Sequence, residues 1–357
     1  MRMLTKFWAT LLLALLVTER SAPAQPNYLE PGSLLVYPLV DSRMGVGRGT
    51  VISVTNTNGN RVIDPVTGYR RGTTQVRFYY VTLSGTGWYL TDIPELLTPR
   101  DILTVLAGDH NPQTEIGWMF LFAEDPETEE LIDFDYLVGD AVLVDVDDNR
   151  SVHMPAMGFR SLTEEQVPGP QRSNLGYAFV DRVINGGNAN GSADFNGTEY
   201  QNWPDRLFLS SFFELANLQA NTADLILLTS MGADFRVGLR FLIYDNEEDQ
   251  FSRSFDFICW TRVPLQNISA VVRNLGGSSR PGTPPEEQQT GWMRINGGVA
   301  INPLTNRTVQ DPPVVGAVVQ TVVAAPRGFE FGHLLHKTGS NGFSHNLPST
   351  TITSNWP

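Results

Sequence analysis

The chain has a single cysteine, Cys259, among its 357 residues. One cysteine forms no intrachain disulfide, so the fold depends on an apolar core and not on covalent crosslinks. Cys259 lies in the apolar, strand-like stretch 255–260. Apolar burial raises the pKa of a thiol. We therefore expect a buried and unreactive side chain.

Basic residues are also few, which excludes one class of partner. Asp and Glu number 38 against 25 Lys and Arg, and the formal net charge is −13. Lys337 is the only lysine after Lys6, and no run of basic residues offsets the acids. An acidic surface repels phosphate backbones. We expect no nucleic-acid partner.

Long apolar runs are missing beyond the N-terminus. A positively charged start precedes the apolar run 7–17, and a small–x–small cleavage site ends at Ala24. The run is too short to cross a bilayer as a helix. We expect a signal peptide over residues 1–24, cleaved after Ala24. The mature chain is then secreted, periplasmic or at the cell surface, with no transmembrane span.

Short catalytic motifs are missing as well. The chain has no GxSxG elbow and no P-loop. The glycine-rich stretch 45–49 precedes β-branched residues and not a helix, so it does not match a phosphate-binding loop. A catalytic triad is defined by geometry and not by order in the chain. A hydrolase with a site assembled from distant residues stays open as an alternative.

The residues that are present form many short alternating strands, separated by Gly, Pro, Asn and Asp. Several segments recur in the same order, which predicts a duplication. The clearest matches are Gly117-Trp118-Met119 with Gly291-Trp292-Met293, the turn 125–128 with 302–305, and Val138-Gly139 with Val315-Gly316. Further matches are 33–36 with 206–209, 50–55 with 224–229, Arg77-Phe78 with Arg240-Phe241, 91–94 with 261–264, and 158–159 with 328–329.

These patterns predict an all-β chain with two tandem, internally duplicated antiparallel β-sandwich domains, Ig-like or jelly-roll-like. The expected domains cover residues 25–165 and 206–340. A linker with a Gly/Asn-rich insertion occupies 166–205, and a polar tail follows at 341–357. Within this pattern we expect one helical turn at 93–99 and a short helix beginning at Ser161.

Two groups of residues are candidate metal sites. Asp145, Asp147 and Asn149 place oxygen ligands at alternate positions, as calcium loops do, but the glycine and closing glutamate of such loops are missing. A solvated acidic turn is the alternative. His333, His336 and His345 are close in sequence, but surface histidines explain them better than a zinc site. We expect no cofactor, with calcium as the one possibility.

Aromatic residues are the candidates for ligand contact. Phe195, Tyr200 and Trp203 lie in the insertion, where exposed rings would stack on sugar faces. Trp118 and Trp292 occupy matching positions, which favours a core role for both.

The leading hypothesis is an exported, non-enzymatic protein with a structural, adhesive or surface-interaction role at the envelope or outside the cell. Its partner would be an extracellular or envelope protein or a glycan. The alternatives are a carbohydrate- or calcium-dependent binding protein and, third, a hydrolase with a site between the two sandwiches.

Overall fold

The computed structural model describes residues 30–43, 48–84, 87–111, 113, 115–146, 150–161, 173–178, 192–194, 200–201, 203–214, 222–231, 234–245, 249–269, 289–324, 327–337 and 351–353. Of these residues 64% are in β-strands and 4% in helices, and the strands pair antiparallel. Over the same residues, no helix has the length and apolar character needed to span a membrane. The expected signal peptide and the expected helix after Ser161 lie outside this part of the chain.

The first half forms a five-stranded and a four-stranded sheet, which we call the first sheet pair. The five-stranded sheet has the order β4-β3-β6-β1-β9, and the four-stranded sheet has the order β5-β2-β7-β8. The elements are β1 (Leu34–Asp41), β2 (Arg48–Asn56), β3 (Thr74–Ser84), β4 (Gly87–Leu97), β5 (Ile102–Leu106), helix α1 (Ala107–His110), β6 (Ile116–Glu124), β7 (Leu137–Asp145), β8 (Arg150–Pro155) and β9 (Met157–Phe159).

The second half forms the second sheet pair. It begins after the short strand β10 (Ser192–Asp194), which pairs with β21 (Thr351–Thr353). Its elements are β11 (Arg206–Glu214), β12 (Thr222–Leu228), β13 (Arg236–Asp245), β14 (Gln250–Ile258), β15 (Trp260–Pro264), helix α2 (Leu265–Ile268), β16 (Gln289–Ile301), β17 (Thr308–Gln310), β18 (Val315–Ala324), β19 (Arg327–Leu334) and β20 (His336–Lys337).

The two sheet pairs have the same strand order. The larger sheet of the second pair runs β14-β13-β16-β11-β20, with β17 paired to β16, and the smaller runs β15-β12-β18-β19. Apart from β17, each strand of these four sheets therefore has a counterpart at the same place in the other pair. A four-residue helix follows the fifth strand in both pairs, α1 after β5 and α2 after β15.

Each pair encloses one apolar core between its two sheets, because alternate side chains of every strand point inward. In the first pair Tyr37, Ile52 and Phe78 come from both sheets and are at most 1% exposed. In the second pair Leu225, Phe241 and Ile295 have the same role and are fully buried. The apolar alternation in the sequence is thus explained by two cores of the same construction.

The first strand of each larger sheet carries an irregularity at the same point. In β1 the register with β6 shifts between Tyr37 and Val40, and in β11 the register with β16 shifts between Leu209 and Phe212. Opposite each shift stands a glycine, Gly117 or Gly291. A Cβ on Gly291 would lie 2.6 Å from Phe212 Cζ, so the close approach requires glycine.

One type of turn occurs three times among the described residues. An Asx side chain before proline accepts hydrogen bonds from the backbone N–H groups two and three residues later, and the residue four positions on has positive φ. The Oδ1 distances are 2.9 and 3.2 Å at Asp64, 2.9 and 3.2 Å at Asp125, and 3.0 and 3.0 Å at Asn302. The positive φ values are 75° at Gly68, 57° at Glu129 and 57° at Asn306.

Several sequence expectations were wrong in detail. The segment 93–99 does not form a helical turn, because β4 continues to Leu97. Segments 91–94 and 261–264 lie in β4 and β15, which are not counterparts, and 158–159 and 328–329 lie in β9 and β19. The expected matches of 33–36 with 206–209 and of 50–55 with 224–229 are each displaced by one residue. Leu209 corresponds to Tyr37, because Leu209 pairs with Met293 as Tyr37 pairs with Met119. Leu227 corresponds to Val54, because Leu227 pairs with Gly316 as Val54 pairs with Gly139.

Candidate functional site

The outer face of the larger sheet in the first pair is covered by the second pair. Val36, Trp118 and Phe120 project from this face and are at most 1% exposed. They belong to an apolar cluster that also contains Leu228 and Val315 from β12 and β18. The two sheet pairs are therefore joined by a core of their own, which we call the inter-pair cluster.

The corresponding outer face of the second pair carries aromatic and aliphatic residues that are less buried than those of the first pair. Phe208, Leu242, Tyr244 and Trp292 project from β11, β13 and β16 and are half-buried. Register fixes the correspondence, because Trp292 faces Tyr244 on β13 as Trp118 faces Val81 on β3. We call this surface the Trp292 face.

The rings on this face pack against one another. Tyr244 and Trp292 stack with centroids 3.9 Å apart and planes within 6°. Phe208 lies 5.4 Å from Trp292 at a tilt of 52°. The three rings form a preorganised aromatic group on a sheet, where side chains lose little freedom on binding.

Arginines surround the rings. Arg206, Arg240 and Arg294 are exposed on the same face. Arg206 lies 4.0 Å from Asp205, but neither Arg240 nor Arg294 forms an ion pair with any residue that the structure describes. The covered face of the first pair has apolar residues at two of these places: Phe120 corresponds to Arg294, and Leu34 to Arg206. The substitution of charge for apolar side chains matches the difference in exposure.

In the smaller sheets it is the outer face of the second pair that is buried and that of the first pair that is exposed. In the second pair the outward residues Ile226, Leu228 and Ala317 are buried in contact with the first pair. Their counterparts in the first pair are Ser53, Thr55 and Asp140, which are polar and half-exposed. The contact inside the chain is therefore not repeated on the outer surface of the first pair.

The chemistry of the Trp292 face suits protein recognition. Trp, Tyr and Arg are the residues that most often dominate binding energy at interfaces. A guanidinium binds a carboxylate through two parallel hydrogen bonds. In the Tyr244–Trp292 stack one face of each ring contacts the other ring. The ring edges and the opposite faces remain for apolar contact with a partner.

The calcium candidate is only partly within the described structure. Asp145 ends β7, and its carboxylate lies 2.7 Å from Arg48 Nε. Asp147 and Asn149 lie outside the described residues. An arginine at this distance competes with a cation for the carboxylate. The calcium site stays a prediction.

The ligand-binding candidates of the insertion divide in the same way. Phe195 lies outside the described residues. Tyr200 is 0% and Trp203 4% exposed, and both belong to the inter-pair cluster. Trp203 stacks on Phe159 at 5.5 Å. Ligand contact by these rings stays a prediction, and the structure gives Tyr200 and Trp203 a packing role.

The histidines do not gather into a metal site among the residues that can be described. No group of three His, Cys, Asp or Glu with metal-binding spacing occurs there. His333 lies in β19 and His336 in β20, whereas His345 is outside the described residues.

Nothing in the sequence indicated that His110 contacts both a tyrosine and a glutamate. Its Nδ1 lies 2.7 Å from the Tyr80 hydroxyl, and its Nε2 lies 3.6 Å from Glu95 Oε1. Burial lowers the pKa of His110, and Glu95 opposes this. The carboxylate–imidazole–phenol order resembles a proton relay, but Tyr80 is 1% exposed and is closed to a substrate.

Sequence reasoning missed the Trp292 face because it treated Trp118 and Trp292 alike. The core expectation holds for Trp118 and not for Trp292. A signal was present: Phe120 and Phe122 follow Trp118 at alternate positions, whereas Arg294 and Asn296 follow Trp292. Polar residues two and four positions after a tryptophan indicate a strand face that meets solvent.

Comparison with known proteins adds no family. No family model matches the chain, and no curated protein matches it. A crystal structure of Thermotoga maritima 1070 is similar over 39% of this chain and 100% of that chain, with 11% sequence identity and a TM-score of 0.26. A likeness at this level carries no argument about fold or function.

Proposed function

We propose that the chain is an exported, non-enzymatic surface-interaction protein that binds an acidic protein partner through the Trp292 face. One observation carries the proposal. The face of the second pair that corresponds to the covered face of the first is only half-buried in the described structure, with three stacked or tilted rings and three exposed arginines on it.

The proposal includes a duplication, with β-sandwich domains over 25–165 and 206–340. Its support is the shared strand order, the register shift at the same point of β1 and β11, and the matching turns at Asp125 and Asn302. Internal similarity over units of this length is typical of duplicated domains. A contact surface of this kind that no described sheet covers is one that a partner could use.

Charge favours an acidic partner over a neutral one. The chain carries a net charge of −13, yet the central rows of the Trp292 face hold Arg206, Arg240 and Arg294. Opposite charges across an interface speed association and exclude wrong partners. A second copy of the chain fits less well, because the first pair offers Ser53, Thr55 and Asp140 where the internal contact uses apolar residues.

The proposal is tested with a defined probe. A synthetic peptide rich in Glu and Asp, with one Phe, is titrated into the mature protein by calorimetry at low and at near-physiological salt. We expect binding that weakens with salt. Arg294→Ala and Trp292→Ala each weaken it about tenfold or more. Arg307→Ala removes an exposed arginine from the turn after β16 and serves as the matched control.

Three results would overturn the proposal. They are equal binding of a peptide with Gln and Asn in place of the acids, equal loss in the Arg307→Ala control, or no binding at low salt. Concentration-dependent self-association of the protein that Trp292→Ala abolishes would instead assign the face to a second copy.

A further inference from the structure

A second candidate site lies in the first sheet pair. It is a polar cavity, whereas the Trp292 face is an aromatic surface. A cavity of about 460 Å³ opens beside the segment between β6 and β7. Small-molecule sites span roughly 300–1,000 Å³, so this cavity is large enough for a ligand of one or two rings. Its polar walls include Arg71, Asp133, Asp135, Tyr136 and Arg160.

One wall comes from the segment 173–178, which lies outside both sheets. Leu175 and Tyr177 of this segment pack into the core of the first pair. The Tyr177 hydroxyl donates a hydrogen bond to the Arg71 carbonyl oxygen, and its ring meets Phe134 edge-on at 5.0 Å. Asp133 N–H donates to the Ala178 carbonyl at 2.9 Å. Packing and hydrogen bonds therefore fix this wall against the first pair.

The carboxylate of Asp135 is buried in the cavity wall, and burial disfavours its charged form. Burial raises the pKa of Asp135, and hydrogen bonds from Ser33, Ser161 and Arg160 oppose the rise. The Ser33 hydroxyl lies 2.7 Å, the Ser161 N–H 2.8 Å and Arg160 Nε 3.1 Å from this carboxylate. These bonds fix the position of the carboxylate and of the guanidinium beside it.

The two arginines supply donors to the same cavity. Arg160 and Arg71 are 46% and 47% exposed, and each is paired with a carboxylate, Asp135 at 3.1 Å and Asp64 at 3.7 Å. Both guanidiniums line the cavity, and each side chain is nearly half exposed while its carboxylate partner holds it in place.

Tyr136 adds an aromatic surface. It is 41% exposed and lines the cavity, and its ring meets Phe134 edge-on at 5.2 Å. An edge-on neighbour fixes the orientation of the Tyr136 ring. A fixed, partly exposed ring beside hydrogen-bonding groups suits a ligand with one apolar face and polar edges.

We propose that this cavity binds a neutral sugar. A sugar hydroxyl both donates and accepts, and so pairs with the carboxylates and with the guanidiniums. With Asp64, the ion-pair partner of Arg71, three carboxylates stand against two guanidiniums at this cavity, which disfavours an anionic ligand. The C–H face of a sugar ring packs against Tyr136. The site is independent of the Trp292 face and of the proposed acidic partner.

The test is a titration of the mature protein with neutral saccharides. The probes are glucose, galactose, mannose, N-acetylglucosamine, cellobiose and maltose, measured by saturation-transfer NMR and calorimetry. We expect at least one to bind. Tyr136→Ala and Arg160→Ala each weaken that binding about tenfold, the loss of one good contact. Leu304→Ala and Arg307→Ala, both exposed and outside the cavity, leave it unchanged.

Thermal unfolding separates loss of the site from loss of the fold. Tyr136→Ala changes a partly exposed side chain, so we expect this variant to remain folded and to carry the test if Arg160→Ala does not. Absence of binding by every probe overturns the proposal, as does equal binding by Tyr136→Ala. Preference for a uronic acid overturns the neutral ligand. Trp292→Ala retains sugar binding, which separates this result from the peptide experiment.

Discussion

The indole Nε1 of Trp260 donates a hydrogen bond to the carbonyl oxygen of Pro38 at 2.8 Å. Trp260 begins β15 in the second sheet pair, and Pro38 lies in β1 of the first. The bond joins residues 222 positions apart and lies beside the inter-pair cluster. The two pairs are therefore held in one orientation by a directional bond as well as by apolar packing.

Replacing Trp260 by Phe tests the contribution of this bond. The ring is largely retained, but the Pro38 carbonyl loses its donor. We expect the free energy of unfolding to fall by about 1 kcal/mol. Trp292→Phe is the matched control, and we expect a change within about 0.5 kcal/mol because its ring is half-exposed. Equal losses in urea unfolding of the two variants would contradict the role given to Trp260.

Arg77 and Arg240 occupy corresponding places on β3 and β13 but have different surroundings. Arg77 is 14% exposed and lies within 2.9 Å of Glu124, 3.2 Å of Asp92 and 2.7 Å of Glu129. Burial raises the pKa of Glu124, and hydrogen bonds from Arg77 oppose this. Arg240 is exposed, without an ion pair to any described residue.

Methionine at the two positions therefore has unequal effects. Arg77→Met leaves Glu124 buried without its cation, and we expect a loss of about 3–5 kcal/mol in the free energy of unfolding. Arg240→Met should change it by less than about 0.5 kcal/mol. Chemical denaturation measures both. A comparable loss in the two variants would show that burial at Arg77 is not what stabilises this network.

The thiol of Cys259 should be inert. The side chain is 0% exposed in the inter-pair cluster, and burial raises its pKa to about 12. Ellman's reagent at pH 8 should modify the native protein roughly a hundredfold more slowly than the urea-unfolded chain. Similar rates would mean that the two sheet pairs separate readily.

His110 should weaken the fold in acid. Its pKa is lowered in the folded state, so the unfolded chain takes up a proton first as the pH falls below about 6.5. The unfolded state then binds more protons, and the stability that neutral His110 supports is lost as the pH falls through the lowered folded pKa.

The measurement compares urea unfolding of the wild type and of His110→Gln across this range. Glu124 and Asp135 have raised pKa values and act in the opposite sense, so the difference between the two proteins isolates His110. We expect this difference to shrink as the pH falls. His153→Gln, a change at an exposed side chain, serves as the control. A constant difference would contradict the assignment.

The strands themselves were predictable from sequence, because inward and outward positions alternate in polarity. The alternation at Val76, Phe78 and Tyr80 matches three buried positions of β3. The register that relates the strands of the two sheet pairs was not predictable. A slip of one residue exchanges the inner and outer faces of a strand. In β12, Ile226 and Leu228 are as apolar as Leu225 and Leu227, so composition does not show which pair points inward.

The Trp292 face could not be predicted from the sequence for a related reason. Whether Trp118 or Trp292 is covered depends on which sheet of the other half lies above it. That is settled by long-range packing of Leu228, Val315 and Trp260, and not by the residues near either tryptophan. The polar cavity likewise joins Arg71, Asp135 and Tyr177, which are distant in sequence and share no motif.

Side-chain footprinting shows whether the Trp292 face receives a partner. Hydroxyl-radical oxidation is mapped on the mature protein with and without the acidic, Phe-containing peptide. We expect reduced oxidation at Phe208, Tyr244 and Trp292 when the peptide is bound, with Tyr136 unchanged. Protection confined to other surfaces, or equal oxidation of these three rings at saturating peptide, would contradict it.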